Sequence, residues 1–462
     1  RNLTLPVSAH VCQGGEDEPQ RSEERTCLFK NLCYDPNVEQ WLYHRDPELM
    51  PPPAWTHVGT RSESDPIDPH VQMNFDAPVS SSSGFNQPFM VKAVDAQIPK
   101  NNTVWVGGLS FFRQELGPWA NAIGHMYAEY VYSIWHATDI FGLVTRDLRV
   151  LMRDTPCNTN GRRRPEGVKC KHFHTLMRGL SDRYKKFSSV QQPNMKRTAR
   201  QKKGTAKTVC YRDLLVGDGQ LHGSSRRHPA DSWGRFMHYW LSGLGIDPKA
   251  RPPKQRIIFV NKGGTKAGGA MKGGANRVAL NAAEVMEKLE ATFGVPIDNW
   301  VWNGETLDEE VQMLQKYSVC ITVCGGTAFS CTHLPDGASN IYVSVWSSDF
   351  KEGRPGNNNN MESVTWTWDT RHKHYAYPVW LNETKPDTSI PKHPEYKYGM
   401  RWKHNNGFTL HTGRLAMFLN DALAQAQWRM FNNDASAGGF RRLTRSKWAE
   451  LNKDAPSGVL WR

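Results

Sequence analysis

In the second half of the chain, short apolar runs and amphipathic stretches take turns. RIIFVNK (256–262), NWVWN (299–303), SVCITVCGG (318–326) and NIYVSVW (340–346) are strand-like runs rich in β-branched and aromatic residues. Between them NAAEVMEKLEATFG (281–294), LDEEVQMLQKY (307–317) and TAFSCTHL (327–334) predict helices, the first with Asn281 as its cap. Strand, helix, strand, helix in that rhythm is the pattern of a parallel sheet wrapped on both faces. Ligands of such sheets bind beyond the carboxyl ends of strands, where turns lead into helix N-termini. The glycine turn within TVCGGTAFSCTHLPDG (322–337) occupies such a place.

The first half is less regular. Residues 1 to 75 are rich in proline, cysteine and paired charges and predict an extended N-terminal arm laid over the first domain. FMVKAV (89–94) and TVWVGG (103–108) predict strands. From Trp119 onward, Ile123, Met126, Tyr127, Tyr130, Val131, Ile134 and Trp135 recur at three and four residues, the mark of a helix buried along one broad face. RDLRVLMR (146–153) and VCYRDLLVG (209–217) return to strand-like runs, and SWGRFMHYWLSGLG (232–245) to helical spacing closed by Gly243 and Gly245. KARPPKQ (249–255) is a linker by composition, its two prolines denying a helix. The chain thus divides into an arm (1–75), an N-terminal α/β domain (76–248), a C-terminal α/β domain (249–406) and C-terminal helices (407–462).

Composition agrees with two packed cores, because 462 residues with 38 % hydrophobic are too many for one ordinary core and too apolar for disorder. The formal net charge of +13 suits an anionic ligand. Part of it lies in GRRRP (161–165) and KRTARQKKGTAK (196–207), which read as solvated loops and lack the basic-aromatic pattern of a nucleic-acid module, so no nucleic-acid partner is expected. No stretch reaches the ~18 consecutive apolar residues of a membrane span. Because the sequence opens on Arg1 instead of Met, a signal peptide or anchor is expected ahead of it, and membrane contact only through that segment.

Three glycosylation sequons begin at Asn2, Asn101 and Asn382, meaningful only in a secretory lumen. Among the nine cysteines, Cys12, Cys27 and Cys33 crowd the arm and predict disulfides there, and Cys157 and Cys170 are placed to close the GRRRP loop. Cys320, Cys324 and Cys331 fall on an apolar strand and helix and read as small buried hydrophobes. No CxxC pair has a second behind it, and no metal is expected.

Three constellations carry chemistry. Asn121, His125 and Glu129 are spaced four apart, so an α-helix sets them on one stripe of an aromatic face, rotating only ~40° per step. A carboxylate in an apolar wall beside an imidazole is suited to deprotonate a hydroxyl. KGGTKAGGAMKGG (262–274) with Arg277 brings glycine amides, Lys262, Lys266, Lys272 and Arg277 to the end of a strand, a phosphate-binding composition without the spacing of a Walker motif. Gly325 and Gly326, with Thr327 as the expected N-cap and Ser330 adding a second hydroxyl, make a second anion site.

Taken in order, these stretches resemble glycosyltransferase family 61, which includes plant xylosyl- and arabinosyltransferases and animal enzymes attaching N-acetylglucosamine to proteins. CLFKNLCYDP (27–36) resembles its cysteine motif, NAIGHMYAEYVYSIW (121–135) its N-x-x-GH-x-x-x-[DE] helix, and VCYRDLLVG its "cysteine, aromatic, then VG" strand. RIIFVNK with NRVALNAAEV resembles its arginine-rich strand and helix, and LDEEVQMLQKYSVCITVCGGTAFSCTHLPDGA its glutamine helix, strand, glycine turn and Leu-Pro. This chain departs from the family at Cys324, which stands where the family has histidine, and at Asn261-Lys262, where it has arginine. The resemblance implies a GT-B architecture of two Rossmann-like domains facing a cleft, and an inverting, metal-independent transferase without a cofactor. The substrates it implies are a nucleotide sugar, commonly UDP-linked, and a hydroxyl of a glycan or protein in the Golgi or endoplasmic reticulum lumen. Glu129 would be the base, with His125 and Asn121 beside it, and Lys262, Arg277, Gln312, Gly325, Gly326 and Thr327 would hold the donor. The alternative is a catalytically inactive relative that binds a glycan or protein.

Overall fold

The computed structural model describes residues 7–13, 26–38, 40–45, 72–77, 87–94, 96–113, 123–152, 168–183, 207–217, 231–261, 278–301, 305–323, 325–344, 369–379, 383–385 and 407–453. They belong to a mixed α/β chain of two compact units, Arg1–His228 and Pro229–Arg462. The 249–255 linker therefore falls inside the second unit, behind a helix the sequence assigned to the first domain.

The first unit is built on one eight-stranded sheet. In chain order the strands are β1 (Ala9–Gln13), β2 (Thr26–Asp35), β3 (Gln40–His44), β4 (Gln72–Ala77), β5 (Gln87–Val94), β6 (Thr103–Arg113), β7 (Arg149–Met152) and β8 (Thr208–Gly217). Their spatial order is β4-β5-β3-β2-β8-β6-β7, with β1 also on β2. The sheet is mixed, unlike the all-parallel sheet expected of a Rossmann-like domain: β2 runs antiparallel to β3 and β8, whereas β6 runs parallel to β7 and β8. Nor is the 27–36 stretch an arm. It is the interior strand β2, buried on both faces, and such a strand shows no alternation from which sequence reasoning could recognise it. Its rings pack with those of neighbouring strands, Trp41 against Tyr34 at 5.1 Å and against Phe112 at 5.0 Å.

Cys33 lies opposite Cys210 in the β2–β8 register, and the two form a disulfide. Cys27 and Cys170 each take part in a separate disulfide whose partner lies outside the described side chains. Such bonds belong to an oxidising, extracellular or secretory compartment. Among the described residues no helix is long and apolar enough to cross a membrane. Asn101, one of the three sequon asparagines, is exposed in the turn before β6, and Asn2 and Asn382 lie outside the described residues.

A single continuous helix, α1, carries the aromatic stretch: Ile123–His125, then a π-helical segment Met126–Val131, then Tyr132–Ile140. A helix α2 (Val168–Leu180), with no counterpart in the sequence reading, packs against the π-helical segment.

The second unit holds five parallel strands, β9 (Ile257–Asn261), β10 (Ile297–Val301), β11 (Val319–Val323), β12 (Ser339–Ser344) and β13 (Lys373–Pro378), in the order β10-β9-β11-β12-β13. The helices are α3 (Ser232–Gly243), α4 (Ala282–Phe293), α5 (Leu307–Leu314), α6 (Thr412–Phe431), the short α7 (Ala435–Gly438) and α8 (Arg445–Asn452). Every residue of β9, β11 and β12 is buried. On one face, Ser339 bonds the Ala422 carbonyl of α6 and Tyr375 meets Phe418. On the other, Cys320, Thr322, Asn340, Tyr342 and His374 share register and lie under a 3₁₀ helix, Gly326–His333. A further disulfide, Cys320–Cys331, ties that helix to β11, so these two cysteines are not the free hydrophobes the sequence predicts.

Replacing Cys33 and Cys210 together with alanine is expected to lower unfolding stability by about 2–5 kcal/mol, because their bond closes a long loop. A denaturant midpoint equal to that of the wild type would count against a stabilising role for this bond.

Candidate functional site

Numbered by sequence, the sheet of the second unit has order 2-1-3-4-5, and its crossovers change direction between the first and third strands, β9 and β11. A doubly wound sheet opens a crevice outside the carboxyl ends of the two strands at that point. β9 ends there on Asn261 and β11 on Val323, with Thr322 in register with Val260.

Two sequence features meet at these ends. Asn261 is buried, accepts a hydrogen bond from the Ala279 amide at 3.3 Å and donates to the Ala279 carbonyl at 3.5 Å. The side chain therefore fixes both roots of the 262–277 glycine-lysine segment at the end of β9. At the end of β11, Gly325 has φ 112° and ψ −166°, a backbone region that side-chain-bearing residues essentially do not adopt. The glycine here is a geometric requirement of the sharp turn into the 3₁₀ helix.

The cap differs from the expected one. Gly325 takes the N-cap position, and Thr327 donates its hydroxyl to the Val323 carbonyl at 3.1 Å, clamping the turn back onto its own strand. Ser330 is buried and hydrogen-bonded to Glu310 of α5, so it too supports the turn instead of facing a ligand. The segment forms 3₁₀ in place of α because its Thr, Ser and Cys are weak helix formers and its end is tied to β11 by Cys331.

The 3₁₀ helix is wedged between α3 and α5. Trp240 of α3 stacks on His333 with centroids 5.5 Å apart, and Trp233 meets Phe329 edge-on. From α5, Gln315 donates to the His333 carbonyl and Glu310 comes within 3.8 Å of His333 Nδ1. Burial pushes the Glu310 carboxyl up to about 7, offset in part by Ser330. Burial, with Arg371 and His372 nearby, holds His333 down to about 3, so its ring is neutral.

Of the predicted donor residues, Gly325, Gly326 and Thr327 share the turn, half-buried. Gln312 is on the exposed face of α5, about 200° around the helix from Glu310, and away from the turn. Lys262, Arg277 and Asn121 lie outside the described residues, as does Cys324. The backbone of His125 and Glu129 is described within α1, their side chains are not. Glu129 lies in the π-helical segment, whose i→i+5 ladder takes more residues per turn than the α-helix assumed for a single stripe.

A second polar cluster escaped the sequence reading. At the amino edge of the same sheet, Asp369, Arg371, His372 and His374 are gathered around the start of β13. The alternation His372-Lys373-His374, which sets two imidazoles on one strand face, was the available signal.

No family model and no curated protein matches the chain.

Glu310 has a pH signature. The folded state holds its proton to about pH 7, and the unfolded chain releases it near 4.5. The group thus stabilises most below pH 4.5 and loses that contribution as pH rises through 7. Glu310→Gln, neutral throughout, should gain melting temperature relative to wild type between about pH 5 and 8. Parallel melting-temperature profiles would refute the assignment.

Proposed function

We propose that the chain is an inverting glycosyltransferase of the GT-B kind, taking a sugar from a UDP-linked donor to a hydroxyl of a glycan or protein in the Golgi or endoplasmic reticulum lumen. The observation that carries this reading is the Gly325 turn at the end of β11, next to the anchored roots of the 262–277 segment at the end of β9. A diphosphate leaving group needs donors and positive charge where its own charge develops. In this reading backbone amides of the 325–327 turn face the phosphates, and Lys262 and Arg277 neutralise them. The first unit supplies the acceptor chemistry, with Glu129 taking the hydroxyl proton as the sugar is attacked and the nucleoside diphosphate departs. The oxidising compartment that the disulfides require agrees with a lumenal enzyme.

Gly325→Ala tests the donor half. The wild type should gain several degrees of melting temperature with millimolar UDP, and the variant should fold with a loss of roughly 1–3 kcal/mol and bind UDP at least about tenfold more weakly. If UDP, GDP and CMP all leave the wild-type transition unmoved, the transferase reading falls. Once a donor is found, Glu129→Gln should lower kcat about 10²–10⁴-fold with UDP affinity unchanged. Normal turnover in a folded Glu129→Gln protein removes Glu129 as the base.

A further inference from the structure

The amino-edge cluster of the second unit has an unusual accounting of donors and acceptors. Asp369 is fully buried. Its Oδ1 accepts from the Arg371 backbone amide at 3.0 Å and from Arg371 Nε at 3.2 Å, and its Oδ2 accepts from Arg371 Nη2 at 3.4 Å and faces two imidazoles. His372 Nδ1 is 3.0 Å from Oδ2, and His374 Nε2 is 3.9 Å from it.

His372 Nε2 donates to the Leu334 carbonyl at 3.1 Å, which leaves Nδ1 facing Asp369 Oδ2 and the Asn340 side-chain amide, 3.2 Å away. His374 Nε2 lies 3.3 Å from the Asp369 backbone carbonyl as well as 3.9 Å from Oδ2.

Asp369 and Asp336 flank the Arg371 guanidinium, whose Nη1 is 3.6 Å from Asp336; His238 meets Asp336 from α3 at 2.8 Å, and the Arg429 guanidinium donates to the Arg371 carbonyl at 2.9 Å. Two further atoms are buried without a partner among the described residues, Asn340 Oδ1 and His374 Nδ1.

We propose that Asp369, His372 and His374 bind a divalent transition metal, zinc in the first instance, as a structural site. One ligand atom from each lies within 4.8 Å of the others. Four-coordinate zinc with bonds of about 2.0–2.2 Å sets its ligands about 3.3–3.5 Å apart, a spacing that the 3.0 and 3.9 Å separations bracket. The surroundings are those of a metal site's outer layer: the Leu334 carbonyl orients His372, Arg371 holds both oxygens of the Asp369 carboxylate, and Tyr342 stacks on His374 at 5.8 Å. A turned Asn340 amide brings Oδ1 toward the same point as a fourth oxygen donor. Two imidazoles, a carboxylate and an amide oxygen suit zinc better than magnesium or calcium. The ion joins β12, β13, the segment entering β13 and, through Leu334, the end of the 3₁₀ helix. It stands at the opposite edge of the sheet from the Gly325 turn and takes no part in the chemistry proposed there.

The experiment uses the full chain without a histidine tag, purified from zinc-supplemented medium and passed through gel filtration before elemental analysis. About one zinc per chain is expected in the wild type and its loss in both His374→Gln and Asp369→Asn. A chelator should lower the wild-type melting temperature by at least about 5 °C, reversibly on adding zinc, and leave His374→Gln unmoved. If the variants do not fold, cobalt added to the chelated wild type gives the second readout, a visible band of four-coordinate cobalt that zinc displaces. Wild type free of metal and indifferent to the chelator would overturn the proposal. Zinc retained equally by both variants would overturn it too, as binding elsewhere.

Discussion

A parallel sheet must be covered on both faces, because its interior strands have no side that can be left to water, and the second unit is organised by how its two faces meet that demand. The α6 face is apolar, with Ile321, Ile341 and Val343 buried against Leu419, Leu423 and Ala426 in one cluster. The other face carries Thr322, Asn340 and Tyr342, just as buried, and the half-buried His374. Polar atoms in such a place stay only if something answers them. The 3₁₀ helix answers part of that demand, its Thr327 carbonyl accepting from the Thr322 hydroxyl and its Cys331 bonding Cys320 in a disulfide.

Two buried carboxylates beneath that helix show how differently the same burial can resolve. Desolvation raises both. At Asp369 the Arg371 guanidinium and the His372 and His374 rings more than reverse it, holding the group well below the usual carboxylate range. At Glu310 burial dominates, the Ser330 hydroxyl offsets it only in part, and the carboxyl stays high. The first is a charge that its surroundings must neutralise, the second a neutral acid filling space between α5 and the helix.

How much of this was legible in the sequence depended on whether the signal was local. RIIFV, CITV and IYVS are unbroken apolar runs between turns, so β9, β11 and β12 and the position of Gly325 at a strand end could be read directly. β2 was as apolar, but its neighbours in chain are cysteines and charges, and its partner β8 stands some 180 residues away, so it passed for an arm. The π-helical turn has no composition of its own, and a 3.6-residue period drawn through it assumed a phase that the backbone does not keep. Thr327 and Ser330 read as ligand-facing hydroxyls because a sequence shows hydroxyls and not their direction. In the fold both are spent on the protein's own groups. Cys320 and Cys331, eleven residues apart on a strand and a helix, meet only because the helix folds back across that strand.

That folding back also explains why a turn so short can be rigid. Eight residues of 3₁₀ helix are too few to be stable alone, and each end is held by a different device. At the start, Gly325 supplies a backbone conformation and Thr327 a bond to the strand it left. At the end, Cys331 is bonded to β11, Gln315 takes the His333 carbonyl, and Arg371 takes the Thr332 carbonyl at 2.6 Å while also holding Asp369. The amino-edge ion cluster and the carboxyl-edge turn are thus the two ends of one small element braced across the sheet. Loosening the cluster would free the end of the helix before it reached the turn, because the disulfide and the α5 contacts lie between them. A site that must present backbone amides in fixed directions gains from such a base, since an amide already held in place does not have to be ordered when a ligand arrives.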